Sequence, residues 1–366
     1  MPRTKQRVFE EPSLRRKPSN DEIEITLFGK GVGECIVMHL GFGRYVTIDS
    51  FVNSETKNPI ALDYLESLGV SAKSIDYIIV THWHKDHVLG IAKLANEVSS
   101  TARFVMPAII NDECFVNFLE INRQQLNSQS PVAEFCSALK IIEERDLKIV
   151  LATKDRLLMQ QEVTGASASN ECISLYALSP NDTQLFRYQT YMKQLVVEQT
   201  KRPSYTSLTE NEISIALWLD FVNDRALLGG DLEKDGWKEI VDNKILSGKA
   251  SLFKVPHHGS PTGYLDEVWK KLLVSLPVAL LSVYAPSGLP ADDDVQRVKE
   301  QSKGVFVAGS RAKVLSRPEF FKKLRSCSSV ELRSLDTPIG IVRARKPVNS
   351  TDDWVIECFG HVQRWQ

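Results

Sequence analysis

Apolar and polar residues alternate along the first part of the chain, as they do in strands with one buried face. Residues 22–28 alternate strictly, and residues 34–40 and 44–50 follow as short β-branched runs. Glycines at 29, 31 and 33 separate the first two runs and predict a tight turn. A phosphate-binding loop is the more specific alternative for these glycines. Such a loop leads into a helix, and no helix signal follows here, so a turn is favoured.

Further along the chain, helical spacing alternates with strand-like runs. Residues 61–68 have the spacing of a helix that stops at Gly69, and residues 76–80 form the next apolar strand. This order of strands, helix and strand predicts an α/β fold of the αββα sandwich type, with helices covering the sheets. Further helices are predicted at 111–126, 132–144 and 185–199, and further strands at 103–106, 171–178, 212–219, 226–228, 251–255 and 280–284.

The domain organisation follows from length and composition. A chain of 366 residues can bury one large core. Residues 1–20 are rich in arginine, lysine, proline and serine, and predict a flexible basic arm. We assign the main domain to residues 21–315, with a helical insertion at about 107–205. Residues 316–366 are predicted to extend the same domain with a terminal hairpin of strands at 340–345 and 354–359.

Composition excludes some classes of function. The net charge of -1 gives no overall attraction to nucleic acid, so any site for a polyanion must be local. The 6 cysteines are scattered and contain no C-x-x-C pair, as expected of reduced thiols in a cytoplasmic protein. No apolar run has the length of a membrane helix, and the N-terminus lacks a signal-peptide core. We therefore expect a cytoplasmic location and no membrane association.

The candidate chemistry begins directly after the strand at 76–80, in the motif H-x-H-x-D-H. His82 and His84 are two residues apart, so in an extended loop they point the same way and can bind one cation. Asp86 and His87 can turn towards a second position beside it. Imidazole and carboxylate ligands suit zinc and tolerate manganese or iron. A polar surface loop is the plain alternative, but three of the 7 histidines lie within this motif.

Two later strand ends carry polar residues of the same kind. Gly229 and Gly230 precede Asp231, and glycines let the backbone approach another group closely. A turn carboxylate is the commoner meaning of G-G-D when it stands alone. The strand at 251–255 ends in P-H-H-G-S, where adjacent His257 and His258 predict a metal or proton-transfer role.

Together the three motifs resemble the metallo-β-lactamase superfamily, and within it the branch typified by the metallo-hydrolase domain of ComEC, the DNA-uptake channel of competent bacteria. The segments G-V-G-E-C-I-V-M at 31–38, V-T-I-D at 46–49 and N-E-I-S at 211–214 agree with that branch. The channel portion of ComEC is absent, so transport is not implied. The resemblance implies two divalent metal ions, zinc or manganese, with Asp231 bridging them. The implied metal ligands are His82, His84, Asp86, His87, Asp231 and His257.

The chain departs from the family pattern in two places. No histidine occurs between His87 and His257, where the superfamily often has a ligand, and Asn181 and Asp182 are the candidate substitutes. The loop after 280–284 also lacks the histidine found in relatives. An aspartate from the run at 292–294 is one candidate replacement there, and a helix N-terminus is the plain interpretation of that run.

The resemblance implies hydrolysis of a phosphodiester, with a nucleic acid or nucleotide as the substrate. Asp86 would orient the attacking hydroxide, and the non-ligating histidine of the 257/258 pair, here assigned as His258, would protonate the leaving oxygen. A nuclease acting on DNA or RNA leads, with a role as an anti-phage effector in antiviral defence. The alternatives are a small-nucleotide or phosphoester hydrolase, a lactonase or thioesterase, and a degenerate binding subunit. A regulatory protein partner or homo-oligomer is left open.

Overall fold

Sixteen strands, in two sheets of eight, form the centre of the described structure. The computed structural model describes residues 8–109, 130–163, 171–199, 210–242, 246–311 and 338–365, together with Asn117. The strands are β1 (Glu22–Gly29), β2 (Glu34–Leu40), β3 (Tyr45–Ile48), β4 (Ile75–Ile79), β5 (Arg103–Pro107), β6 (Lys148–Ala152), β7 (Arg156–Glu162), β8 (Cys172–Ala177), β9 (Leu217–Phe221), β10 (Asp224–Leu228), β11 (Ala250–Lys254), β12 (Leu273–Ser282), β13 (Gly304–Ala308), β14 (Gly340–Pro347), β15 (Val355–Gly360) and β16 (Val362–Trp365).

Each sheet contains a block of parallel strands, and this decides where loops meet. The first sheet has the order β15-β14-β1-β2-β3-β4-β5-β6, and the second has the order β16-β13-β12-β11-β10-β9-β8-β7. Strands β3 to β6 run parallel in the first sheet, and β10 to β13 run parallel in the second. Loops that follow the carboxyl ends of parallel strands lie along one edge of a sheet, which is where α/β folds place ligands.

The two sheets pack face to face through the apolar positions predicted by the alternation. In β1, Ile23, Ile25 and Leu27 are buried in one cluster with Leu217 and Leu219 of the second sheet. This is the period of two that places every second side chain on one face of a strand. The core between the sheets therefore fixes the register of the strands that lead to the site.

Helices cover the outer face of each sheet, as the αββα prediction requires. The helical residues Trp237 and Val295 pack in a cluster with Phe253 of the second sheet, whereas the helical residues Leu94 and Phe135 pack on the first. Within the described ranges, no helix is both long enough and apolar enough to cross a bilayer. The helices are α1 (Ile60–Ser67), α2 (Lys85–Val88), α3 (Ile91–Glu97), α4 (Pro131–Glu144), α5 (Asp182–Gln199), α6 (Lys234–Ile240), α7 (Asp266–Lys271) and α8 (Asp292–Lys299).

The region predicted as a helical insertion contributes to both sheets. It contains α4 and α5, but β6 extends the first sheet and β7 and β8 extend the second. The strand predicted at 171–178 is confirmed as β8, whereas β6 and β7 were not predicted, because they lack strict alternation in the sequence. The helix predicted at 111–126 lies outside the described residues. The strand predicted at 212–219 begins only at Leu217, since Glu210–Ile213 form a 3-10 turn beside the site.

The described part of the predicted arm lies against the first sheet. Leu14 is fully buried, and Arg343 of β14 donates hydrogen bonds to the carbonyl oxygens of Ser13, at 2.7 Å, and Leu14, at 2.8 Å. Residues 1–7 of the arm lie outside the described residues. The terminal hairpin is confirmed, because β14 and β15 pair in antiparallel register.

A buried ion pair under this arm gives a prediction about stability. Arg345 Nε lies 2.7 Å from Glu24 Oε2, and both side chains are almost completely buried. In Arg345→Ala, the Glu24 carboxylate would lose its cation, although the Tyr64 hydroxyl still donates to it at 2.6 Å. We expect a loss of about 3 kcal/mol in the free energy of unfolding, at the lower end of the range for breaking a buried pair.

Urea unfolding measures this effect, and the exposed pair Lys303–Asp353 provides the control. Lys303→Ala should change the free energy of unfolding far less than Arg345→Ala does, because solvent screens exposed pairs. If the two variants lose the same free energy of unfolding, burial is not the reason that the Arg345–Glu24 pair stabilises the fold.

Candidate metal centre

The three sequence motifs meet at the carboxyl edge of the sheets. β4 leads into the first motif, β10 into Asp231, and β11 into the histidine pair. Among the described residues, four groups of three have potential ligand atoms that all lie within 4.8 Å of one another. These groups are drawn from Glu34, Asp49, His82, Asp86, His87, Asp231 and His258, all of them buried.

Four of these residues form a buried cluster of two imidazoles and two carboxylates. His87 Nε2 lies 3.4 Å from Asp86 Oδ2 and 3.4 Å from Asp231 Oδ2. His258 Nε2 lies 3.2 Å from the same oxygen of Asp86 and 3.5 Å from that of Asp231. Two ligands at about 2.1 Å from a tetrahedral ion lie about 3.4 Å from each other. The four distances from His87 and His258 match this separation, whereas among the described residues no group of three within 4.8 Å contains both Asp86 and Asp231.

The electrostatics of this centre also fit a divalent cation. The Nε2 atom of His87 is buried and has no hydrogen-bond partner among the described residues. Burial alone would lower the pKa of His87, but the carboxylates of Asp231 and Asp86 outweigh it and raise that pKa well above its usual value. Buried carboxylates in excess of cations are costly unless positive charge is supplied. A bound dication would supply that charge.

The outer nitrogens of the two histidines are held by the protein. His87 Nδ1 lies 2.8 Å from Asp49 Oδ2, and His258 Nδ1 lies 2.8 Å from the hydroxyl of Ser282. Asp49 is fixed in turn by the backbone N–H and the hydroxyl of Thr81, both at 2.7 Å. Such bonds fix the ring orientation and direct Nε2 towards a metal.

His82 and His84 mark a second position beside the first. His82 Nε2 lies 3.0 Å from His84 Nδ1, and His84 Nε2 lies 3.1 Å from the buried carboxylate of Glu210. Burial lowers the pKa of His82 well below its usual value, which favours the neutral, metal-binding form of the ring. His82 also forms a group of three with His87 and Asp231, whereas His84 belongs to no such group among the described residues.

The two adjacent histidines lie in an unusual turn that sends their rings in different directions. His257 and His258 both have left-handed backbone angles, with φ values of 49° and 52°. This conformation costs on the order of 1–3 kcal/mol per residue, and it occurs mainly where the surrounding structure requires it. The turn directs His258 into the buried centre and leaves His257 at the rim, 2.9 Å from Thr262 Oγ1 and 3.4 Å from Glu233 Oε1. The structure thus places His258 with the potential ligands, the reverse of the roles assigned from the sequence.

A buried lysine lies behind Asp231. Lys254 Nζ lies 2.5 Å from Glu34 Oε1, 2.9 Å from the carbonyl oxygen of Gly230 and 3.7 Å from Asp231 Oδ1. Burial would lower the pKa of Lys254, but Glu34 and Asp231 raise it, so the ammonium is charged. The close approach depends on Gly230, where an added Cβ would lie 2.6 Å from Ser214 Oγ.

The candidate substitute ligands lie elsewhere. Asn181 Oδ1 accepts a hydrogen bond from the backbone N–H of Gln184 at 2.8 Å, as in a helix cap, and Asp182 is exposed. Asp294 accepts from the N–H of Ala291 at the start of α8, and Asp292 pairs with Arg311. The plain interpretation of the aspartate run as a helix N-terminus is therefore confirmed.

Sequence reasoning missed five residues that surround the potential ligands. Two of them could have been predicted from the sequence, since a charged residue in or directly after a β-branched strand is buried and needs a partner. Asp49 follows the strand at 46–48, and Lys254 interrupts the apolar run of β11. The full set is Glu34, Asp49, Glu210, Lys254 and Ser282.

Comparisons with known proteins agree with this fold. The family model of the metallo-beta-lactamase superfamily matches residues 30–100, which include Glu34, Asp49 and the first motif. With its two sheets and covering helices, the chain has the mixed α/β architecture of that superfamily. No curated protein matches the chain.

Among solved structures, the matches have low identity. CmlA, a diiron beta-hydroxylase from Streptomyces venezuelae, is 12% identical with a TM-score of 0.34, covering 65% of this chain and 35% of its own. The metallo-beta-lactamase SMB-1 is 10% identical with a TM-score of 0.34, covering 73% and 81%. Human tRNase Z, short form, is 13% identical with a TM-score of 0.31, covering 63% and 76%. This chain thus spans only about a third of the diiron hydroxylase.

Proposed function

We propose that this protein is a metal-dependent phosphodiesterase that acts as a nuclease on DNA or RNA. The observation that carries the proposal is the buried cluster of Asp86, His87, Asp231 and His258. Each imidazole Nε2 lies 3.2–3.5 Å from an oxygen of both carboxylates, and the buried His87 Nε2 has no other partner among the described residues. A scaffold without metal would leave that nitrogen and the surrounding carboxylates buried at a cost. The geometry therefore favours a metal site over a degenerate binding subunit.

In this proposal the residues have separate tasks. Asp86, His87, Asp231 and His258 would hold one cation, and His82 and His84, together with Asp231, would hold a second. Bound divalent ions would lower the pKa of a water molecule and stabilise charge on phosphate oxygens. Asp86 would contribute a carboxylate to the ligand set and would orient the attacking water. Asp49, Glu210 and Ser282 keep the ligating rings in place through their outer nitrogens.

His257 takes the role of proton donor to the leaving oxygen in this assignment. Its ring is about one-fifth exposed and lies against Glu233 and Thr262, which also line a cavity of about 400 Å³. The same lining contains three basic residues, Arg187, Lys234 and Lys238, and three acidic ones, Glu212, Glu233 and Asp235, so its charges balance. His257 thus stands between the buried centre and a space that a nucleotide can enter.

The choice of a phosphodiester as the substrate rests on the sequence resemblance to the ComEC branch at residues 31–38, 46–49 and 211–214. A role in antiviral defence rests on the same resemblance. Zinc and manganese are the proposed ions, because the ligand set combines imidazole with carboxylate.

Incubation with a panel of substrates tests the proposed function. We expect the purified protein to hydrolyse bis-p-nitrophenyl phosphate and to cleave plasmid, single-stranded DNA or RNA. Activity should disappear after chelation and return when manganese or zinc is added. A lactone and a thioester in the same panel test the alternative hydrolases. Absence of phosphodiester cleavage in the presence of manganese or zinc, or turnover of the lactone or thioester alone, would overturn the proposal.

A further inference from the structure

A second cavity, of about 500 Å³, lies beside the metal-binding loop on the first sheet. Its walls come from the loop after β3, from α2 and from the start of α3, with Val52 and Pro59 on one side and Leu89 on another. Three lysines line it: Lys57, Lys85 and Lys93, all exposed. We call this cavity the lysine cleft.

The charge of the lysine cleft is not neutralised by its own residues. Glu134 is the acidic residue of the lining, and its Oε1 accepts hydrogen bonds from the backbone N–H groups of Gly90 and Ala92, both at 3.1 Å. Lys93 donates to the neutral side-chain oxygen of Asn58. Across the described ranges, none of the three lysines forms an ion pair with a carboxylate. The cleft therefore offers a net positive charge to an anion, in a chain whose overall charge is -1.

The position of the cleft ties it to the candidate metal centre. Lys85 lies between His84 and Asp86 in the chain, so its backbone is within about 4 Å of theirs. In α2, Asp86 and His87 are buried towards the centre, whereas Lys85 is exposed towards the cleft. The helix is held against the loop after β3, because the Ser50 hydroxyl donates to the carbonyl oxygen of Leu89 at 3.0 Å. One short element thus faces both sites and fixes their separation.

We propose that the lysine cleft binds the phosphates of a nucleic-acid strand next to the bond that is cleaved. The inference rests on the proposed function and narrows it to a polymer rather than a small ester. Lysine ammonium groups act as point charges on phosphate oxygens and read no base sequence. A substrate strand crossing the metal centre would place neighbouring phosphates in the cleft, whereas a small diester would end before reaching it.

The double variant Lys57→Ala/Lys93→Ala tests the cleft and leaves Lys85, which borders the ligands, unchanged. On single-stranded DNA we expect KM to rise roughly tenfold, with kcat within about twofold of wild type. The slope of log Kd for labelled single-stranded DNA against log salt should fall by about 1.4, because two phosphate contacts are lost. On bis-p-nitrophenyl phosphate, kcat/KM should stay within about twofold.

Lys270→Ala/Lys271→Ala is the matched control, since it removes two exposed lysines from α7 on the outer face of the other sheet. Its KM and salt slope should equal those of wild type. If the cleft variant has an unchanged KM and salt slope and still hydrolyses the small diester, the cleft does not bind phosphates. That result would leave the proposed function intact. If wild type hydrolyses no phosphodiester, the proposed function fails, and DNA binding alone then tests the lysine cleft. Weaker DNA binding by the cleft variant than by wild type supports the cleft as a phosphate site. Equal binding by the two proteins, or no binding by either, overturns it.

Discussion

The Asp231→Asn protein is expected to lose about 10³-fold or more in kcat/KM for bis-p-nitrophenyl phosphate, which corresponds to about 4 kcal/mol of transition-state stabilisation. The Asp231 carboxylate lies 3.4 Å from His87 Nε2 and 3.5 Å from His258 Nε2, and it also groups with His82. Asparagine keeps the size of the side chain but removes the charge that a shared ligand needs. The variant should therefore bind less metal as well as turn over more slowly.

Two measurements separate this loss from a loss of folding. Elemental analysis after dialysis gives the metal bound per chain, and circular dichroism reports whether the sheets are intact. Asp292→Asn is the control, because Asp292 is an exposed carboxylate at the start of α8 that pairs with Arg311. It should keep full metal content and activity. Wild-type turnover in the Asp231→Asn protein would remove the basis for a shared ligand at this position.

The sequence predicted the architecture well because the signals are local and periodic. The alternation over residues 22–28 comes from burial of every second side chain between the sheets, and it led directly to β1. The strand ends that carry Asp86, Asp231 and His258 were also visible, since each follows an apolar run. Their convergence was expected from the family resemblance, because no local pattern shows which strands are parallel and adjacent.

What the sequence could not show depends on side-chain direction. His257 and His258 are neighbours in the chain, and only the left-handed turn at both residues decides which ring enters the centre. Glu210 contacts His84 from a segment more than a hundred residues away, so no spacing rule relates the two. Strands β6 and β7 were missed because their burial pattern depends on the sheets that they join.

Lys254→Met is expected to lower the free energy of unfolding of the metal-free protein by about 5 kcal/mol, at the upper end of the range for breaking a buried ion pair. The ammonium of Lys254 lies 2.5 Å from Glu34 and 3.7 Å from Asp231, and all three side chains are almost fully buried. Methionine fills a similar volume but leaves two carboxylates without their cation. Added manganese or zinc should restore part of the loss, because a dication supplies positive charge to the same carboxylates and binds only the folded state.

A double-mutant cycle with Glu34→Gln shows whether the pair or the packing is responsible. Glu34→Gln removes one of the two uncompensated charges, so in the Lys254→Met background it should recover a large part of the lost free energy. Urea unfolding in chelator and then in manganese measures all four proteins under both conditions. Two results would show that the lysine does not stabilise the carboxylates. One is that the losses in free energy of unfolding from the two substitutions are additive, and the other is that Lys254→Met is as stable as wild type without metal. The expected coupling would mean that the Lys254 ammonium compensates the buried Glu34 carboxylate, directly behind Asp231, before any metal binds.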